Sequence, residues 1–245
     1  MSTPLEFIQP EQSTYINVLL YGPPKTGKTT GACSPPGGVL LLNLDLPNAS
    51  RFAHERDPEG RIMEVRWQGM RTLIAVSNAI AQQTDQGKVV ETVVIDPIGE
   101  LHRRLIEEAS DRAIRPTLNQ YGDTSIHIER FCRYLCEQPV NVVIVCHEIP
   151  TKDESTGVIE RLPFTGTSNP TLGQKLMAMV DVVGYTGVIE REDGSHDYVA
   201  QLINDRGRRG GDRFDVLGDW RRLDLAEWFA LIHDPQTPQP EAIAA

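Results

Sequence analysis

The segment Gly22-Pro23-Pro24-Lys25-Thr26-Gly27-Lys28-Thr29, followed by Thr30, constrains this chain more than any other. Its spacing is that of a phosphate-binding loop, G-x-x-x-x-G-K-[ST]. Gly22 and Gly27 allow backbone angles that turn successive N–H groups toward phosphate oxygens. A helix opening at Gly27-Lys28-Thr29-Thr30 would aim its positive end at the same anion. Lys28 is placed to reach the β- and γ-phosphates, and the Thr29 hydroxyl to ligate Mg²⁺. The apolar run at 15–21 supplies the strand that such a loop must follow. Residues 22–30 are therefore read as a site for a nucleoside triphosphate, with ATP and Mg²⁺ as the expected ligands.

The rest of the chain must then provide an open, mainly parallel sheet, and its pattern does so. Short apolar runs at 38–45, 61–67, 89–96 and 141–147 alternate with helical periodicity at 70–83, 98–114 and 125–137. Alternation of this kind marks an α/β fold with helices on both faces of the sheet. After residue 150 the character changes: 181–189 and 196–203 flank Glu192-Asp193-Gly194-Ser195 and predict an antiparallel hairpin. A helix at 223–233 is expected to close the fold. Residues 1–13 and 234–245 are rich in Pro and polar residues, so flexible ends are expected around one domain spanning 14–233. The 245-residue length suits a single such domain.

A phosphate loop needs a second carboxylate for the magnesium shell at the end of a buried strand. Asp96, closing Val93-Val94-Ile95-Asp96, fits that place, so Thr29 and Asp96 form the candidate metal pair. Hydrolysis further needs a group to orient or deprotonate water. Asp45 ends the strand after the loop's helix and is either that group or a cap for the turn at 47–49. His147 ends the 141–147 strand and either donates to a γ-phosphate or is a polar strand end. Glu100 reads as an early-helix acid favoured by the helix dipole. Cys132 and Cys136 read as small buried hydrophobes, and Cys146-His147 lacks the spaced partners of a zinc site.

GPPKTGKTT at 22–30, LLLNLD at 40–45, VVIDPIGEL at 93–101, NVVIVCHE at 141–148 and NDRGRRGG at 204–211 together carry a resemblance. The chain resembles phage-encoded RecA-superfamily P-loop ATPases of the Sak-type single-strand annealing and recombination class. That resemblance implies a RecA-like core, ATP and Mg²⁺ binding, single-stranded DNA binding, and assembly into homo-oligomeric rings or filaments. A single-strand-binding protein is a further implied partner, and the host-cell cytoplasm the implied location. His147 matches the family's strand-end histidine. Asp45 falls where RecA relatives carry a catalytic glutamate, with a side chain one methylene shorter. Arg206 falls near a late basic position that can reach a neighbouring subunit's phosphates.

The formal net charge of −10 excludes a broad basic coat for nucleic acid. Positive charge gathers instead at Arg206, Arg208, Arg209 and Arg213. These guanidiniums suit DNA phosphates, an arginine finger acting in trans, or a solvated turn paired with Asp205 and Asp212. The segment 150–173, with Lys152, Arg161 and Phe164 and with Lys175 nearby, is either a DNA-contacting loop or a lid or hairpin without that role. Trp220 and Trp228 are assigned to the packing of the last helix. No apolar run approaches the roughly 20 residues of a membrane span, and the start lacks a signal-peptide pattern. Two other functions fit the same loop: a small-molecule or nucleoside kinase, and a non-catalytic switch that binds ATP to assemble.

Overall fold

The computed structural model describes residues 14–83, 89–112, 115–152 and 157–236. The expected flexible start and most of the expected tail lie outside the described residues.

Among the described residues, six strands run parallel. They are β1 (Asn17–Gly22), β2 (Val39–Asn43), β3 (Ile62–Arg66), β4 (Thr92–Asp96), β5 (Asn141–Lys152) and β7 (Val182–Glu190). The remaining strands are β6 (Ile159–Phe164), β8 (His196–Gln201), β9 (Gly211–Asp212) and β10 (Trp220–Arg222). One sheet contains all ten in the order β10-β8-β7-β1-β5-β4-β2-β3, with β6 on β5 and β9 on β7. One strand, β5, thus separates the strand that enters the phosphate loop from the strand that ends in Asp96. The expected hairpin is β7–β8, turning at residues 191–195. This is the expected α/β, RecA-like arrangement: a mainly parallel sheet flanked by helices, with an antiparallel hairpin near its C-terminal end.

The strands are apolar on both faces because helices cover both. Leu19, Leu42, Ile95 and Ile144 pack on one side with α3 (Arg71–Ala81), α4 (Ile98–Ala109), α5 (Leu118–Cys136) and α6 (Thr171–Met179). Their neighbours Leu20, Leu41, Val94 and Val143 pack on the other with α1 (Lys28–Ala32), α2 (Arg51–Glu55) and α7 (Leu225–His233). Trp228 of α7 is fully buried there and donates its indole N–H to Arg222 O at 2.7 Å. Trp220 lies instead on β10 and is half-buried.

Several boundaries differ from the sequence expectation: α4 ends at Ala109 where the periodicity runs to 114, β4 begins at Thr92 and not at 89, and two further differences have a visible cause. α5 begins at Leu118, not near residue 125, because Thr117 and Gln120 form a reciprocal capping box. The strand expected to stop at residue 147 continues to Lys152, because β6 folds back onto Glu148–Lys152. Pro150 is tolerated there because that part of β5 pairs with β6 alone. Part of the segment 150–173 is therefore a hairpin, and part is the start of α6.

Candidate functional site

Parallel register brings the sequence-predicted residues to one edge of the sheet. Gly22 lies level with His147, and Asn43 with Asp96. The loop leaves β1 at Gly22, where a Cβ would sit 2.6 Å from Thr186 O of β7. It closes at Gly27, whose φ of 77° belongs to the left-handed region, and whose missing Cβ makes room for the Tyr198 ring. Pro24 and Lys25 form the exposed tip, while Thr26 is buried and bonded to Pro23 O and Thr186 Oγ1. The helix that follows, α1, has only five residues. An anion placed here would meet the loop amides and Lys28 more than a long helix dipole.

Lys28 is buried beneath the loop and donates from Nζ to Gly22 O at 3.1 Å and Pro23 O at 2.5 Å. Burial lowers its pKa to about 8, against the opposing pull of Asp96. Thr29 Oγ1 donates to Asp96 Oδ2 at 2.5 Å, joining the two candidate metal ligands. Burial raises the Asp96 pKa to about 6, in spite of Thr29 and Lys28, which favour the carboxylate. A buried acid and a buried base that both lean toward neutrality are the expected state of a site built for a highly charged ligand. The donor set also suits a hard cation, since a carboxylate and a hydroxyl are the oxygen ligands such an ion takes. Among the described residues, no three His, Cys, Asp or Glu side chains gather into an all-protein metal cage.

Asp45 is exposed beyond the end of β2, and its Oδ1 accepts from Leu46 N at 2.7 Å. Its charge is felt by both Asp96 and His147. His147 is half-buried, and its pKa is lowered first by burial and then by the Lys28 cation. Glu100 pairs with Arg103 on the first turns of α4.

The arginine segment is largely tied down. Arg208 lies 4.7 Å over the Tyr185 ring, Arg209 pairs with Glu160 at 2.5 Å, and Arg213 pairs with Asp181 at 3.2 Å. Arg206 has a side chain 83% exposed, with Asp205 at 3.5 Å. Asp212 does not pair with these arginines as the turn reading expected; it accepts from the amides of Phe214, Val216 and Leu217. Lys175 is paired with Glu129 at 2.7 Å, and Phe164 packs against Gly99.

Sequence reasoning gave no role to Glu148, Tyr185 or Tyr198. Glu148, next to His147, accepts from Arg161 at 2.8 Å and from the Tyr185 hydroxyl at 2.7 Å. Tyr185 meets the Tyr21 ring edge-on, and the Tyr21 hydroxyl is bonded to both the N–H and the C=O of Arg209. A polar chain thus runs from the end of β5 to the β6 hairpin and the arginine segment.

A strand–loop–helix with a buried loop lysine, and a threonine hydroxyl on a strand-end aspartate across an intervening strand, are the marks of a P-loop nucleoside triphosphate site. The sequence profile of the AAA domain family AAA_24 matches residues 14–214, and the chain belongs to that family. No curated protein matches the sequence. Solved structures that it resembles include a prototypical ATPase from the type III secretion system of pathogenic bacteria. That likeness is at 11% identity and a TM-score of 0.48, covering 70% of this chain and 51% of the other. The assembled ATPase EscN of enteropathogenic E. coli is similar at 11% identity and a TM-score of 0.48, covering 71% of this chain and 43% of the other. The chain thus spans about half the length of these structures.

Proposed function

We propose that this ATPase hydrolyses MgATP at the edge formed by β1, β2, β4 and β5, and couples nucleotide state to single-stranded DNA binding within a homo-oligomer. The observation that carries the catalytic part is the Thr29–Asp96 hydrogen bond beside the buried Lys28. Thr29 and Asp96 would hold Mg²⁺, which when bound neutralises phosphate charge and orients the β- and γ-phosphates. Loop amides and Lys28 bind the phosphates and stabilise charge on the transferring group. Asp45 orients a water and takes its proton as the water oxygen bonds to the γ-phosphorus. The bond from that phosphorus to the bridging oxygen breaks, giving ADP and phosphate. His147, held neutral by burial, donates to a γ-phosphate oxygen and reports its presence.

The Glu148 contacts support the coupling, because they join the residue beside His147 to Arg161, Tyr185 and the arginine segment. The sequence resemblance supports DNA as the partner, and exposed Arg206 supports a contact made in trans. The deciding experiment measures phosphate release with and without single-stranded DNA while particle size is followed. DNA-stimulated release in a particle larger than the monomer is expected. Release indifferent to DNA but raised by a nucleoside would replace this reading with a kinase. ATP-dependent assembly without any turnover would replace it with a switch.

A further inference from the structure

The turn that carries Asp45 is held by more than its own backbone. Asn43, buried at the end of β2, accepts from Asp45 N at 3.0 Å through Oδ1. Its amide nitrogen donates to Glu64 Oε1 at 3.1 Å. Flipping the amide would set N–H against N–H and oxygen against carboxylate, so the two partners fix its orientation. Glu64 also accepts from Ser50 Oγ at 2.6 Å, His54 Nε2 at 2.9 Å and Arg66 at 2.7 Å. Although burial opposes it, these donors hold the carboxylate ionised, with a pKa of about 2. Leu44, between Asn43 and Asp45, donates to Asp96 O at 2.8 Å and accepts from Arg104 at 2.8 Å.

Four donors on one carboxylate, at a strand position whose neighbour in register is the interior Leu41, are more than the packing of β3 requires. The chain Glu64–Asn43–Asp45 runs from the outer strand of the sheet to the site edge, and its last bond sets the backbone from which Asp45 projects. We infer that Glu64, acting through Asn43, is a positioning residue that fixes Asp45 relative to Asp96 and the γ-phosphate. This rests on Asp45 acting on the water as proposed above. Neither Glu64 nor Asn43 touches substrate in this reading. Their effect is on the geometry of proton removal, where an ångström of misplacement costs up to about 100-fold.

The test is steady-state MgATP hydrolysis by the full chain carrying Glu64→Gln, Asn43→Ala, Asp45→Asn and the Glu64→Gln/Asp45→Asn pair. Asp45→Asn is expected to lower kcat by about 100-fold or more, the usual worth of a general base. Glu64→Gln and Asn43→Ala are each expected to lower kcat about tenfold while KM for ATP stays within about twofold. The pair is expected to be no slower than Asp45→Asn alone, because a residue that acts only through Asp45 has nothing left to position. His54→Ala, which cuts only the tie between Glu64 and α2, is expected to leave kcat within about twofold. Asn43→Ala leaves the other three bonds of Glu64 in place, so it carries the test if Glu64→Gln fails to fold. Unchanged kcat in Asn43→Ala, or losses that multiply in the pair, would overturn the positioning role while leaving Asp45 as the base. Unchanged kcat in Asp45→Asn would overturn the role of Asp45 and, with it, this inference.

Discussion

Asp96→Asn is the substitution whose consequences can be worked furthest. Burial raises the carboxyl pKa from its ordinary 3.8 to about 6. At about 1.4 kcal/mol per pH unit, that difference costs the ligand-free fold about 3 kcal/mol once Asp96 is fully ionised. The sign follows from proton counting. Between pH 4 and pH 6 the folded chain holds the Asp96 proton more firmly than the unfolded chain does. This group therefore favours folding at low pH and ceases to do so as pH rises through about 6. Asparagine does not titrate, so the variant lacks this contribution. It keeps an oxygen for Thr29 Oγ1, now bonded at 2.5 Å to Asp96 Oδ2, but brings an amide N–H₂ that must find a partner at a cost of about 1–3 kcal/mol.

The quantity to measure is thus the stability difference between variant and wild type at several pH values, by urea denaturation without nucleotide. Other carboxylates titrate alike in both proteins and cancel. The difference is expected to move by about 2.5 kcal/mol in favour of the variant between pH 4 and pH 7.5. In a protein of this length that corresponds to a relative rise in Tm of roughly 5–10 °C. A difference that stays flat with pH would refute the claim that Asp96 is a buried, destabilised carboxylate awaiting a cation. The same variant is expected to lose Mg²⁺-dependent nucleotide binding, so stability and function move in opposite directions.

Lys28→Ala removes the buried cation beneath the loop and should abolish nucleotide binding, read by retention of a fluorescent ATP analogue; normal turnover in that variant would refute the site. Gly27→Ala forces an alanine to φ 77° and into the Tyr198 ring, and should cost about 1–3 kcal/mol in thermal denaturation. Adding Tyr198→Ala should return the steric part of that loss. Arg206→Ala should leave monomer stability within about 0.5 kcal/mol, since its side chain is largely exposed, and lower phosphate release only in the assembled state. MgATP affinity should be bell-shaped in pH, falling below about 6 as Asp96 protonates and above about 8 as Lys28 loses its proton. Calorimetric titrations at pH 5.5, 7 and 8.5 would detect it, and equal affinity at all three would count against both shifts.

The parts of this molecule legible in its sequence share a physical cause. The parallel strands announce themselves because both faces are covered, which demands runs such as Val39–Asn43 and Thr92–Asp96. The contact between Thr29 and Asp96, 67 positions apart, is legible because phosphate chemistry fixes both residue types and the ends of parallel strands share an edge. The first turns of α5 are not, because no side chain of residues 118–123 is fully buried and periodicity is weak there; only the Thr117–Gln120 box marks the start. Glu148–Tyr185 and Asn43–Glu64 were hidden for another reason. Each joins polar residues of different strands, and their pairing is set by register and side-chain reach, which no local pattern encodes.

Charge is where sequence and structure part most usefully. The arginines at 206–213 look in sequence like one available cluster, yet folding commits Arg208 to Tyr185, Arg209 to Glu160 and Arg213 to Asp181. Arg206 projects furthest, while Arg209 and Arg213 stay about half exposed in surface ion pairs, on a chain whose net charge is −10. Three exposed guanidiniums, each already beside a carboxylate, give a phosphate backbone a weak, salt-sensitive contact, because affinity grows with the number of phosphates neutralised. If the proposed coupling to DNA operates, the contacts must be multiplied by assembly, with each subunit adding its Arg206 along the strand. DNA affinity should then rise with oligomer formation and not with nucleotide occupancy of isolated subunits. The two can be separated by measuring DNA binding at fixed MgATP across a dilution series that crosses the assembly threshold. Binding that persists unchanged in the monomer would mean that DNA is held elsewhere on the chain, and that Arg206 serves the neighbouring phosphates alone.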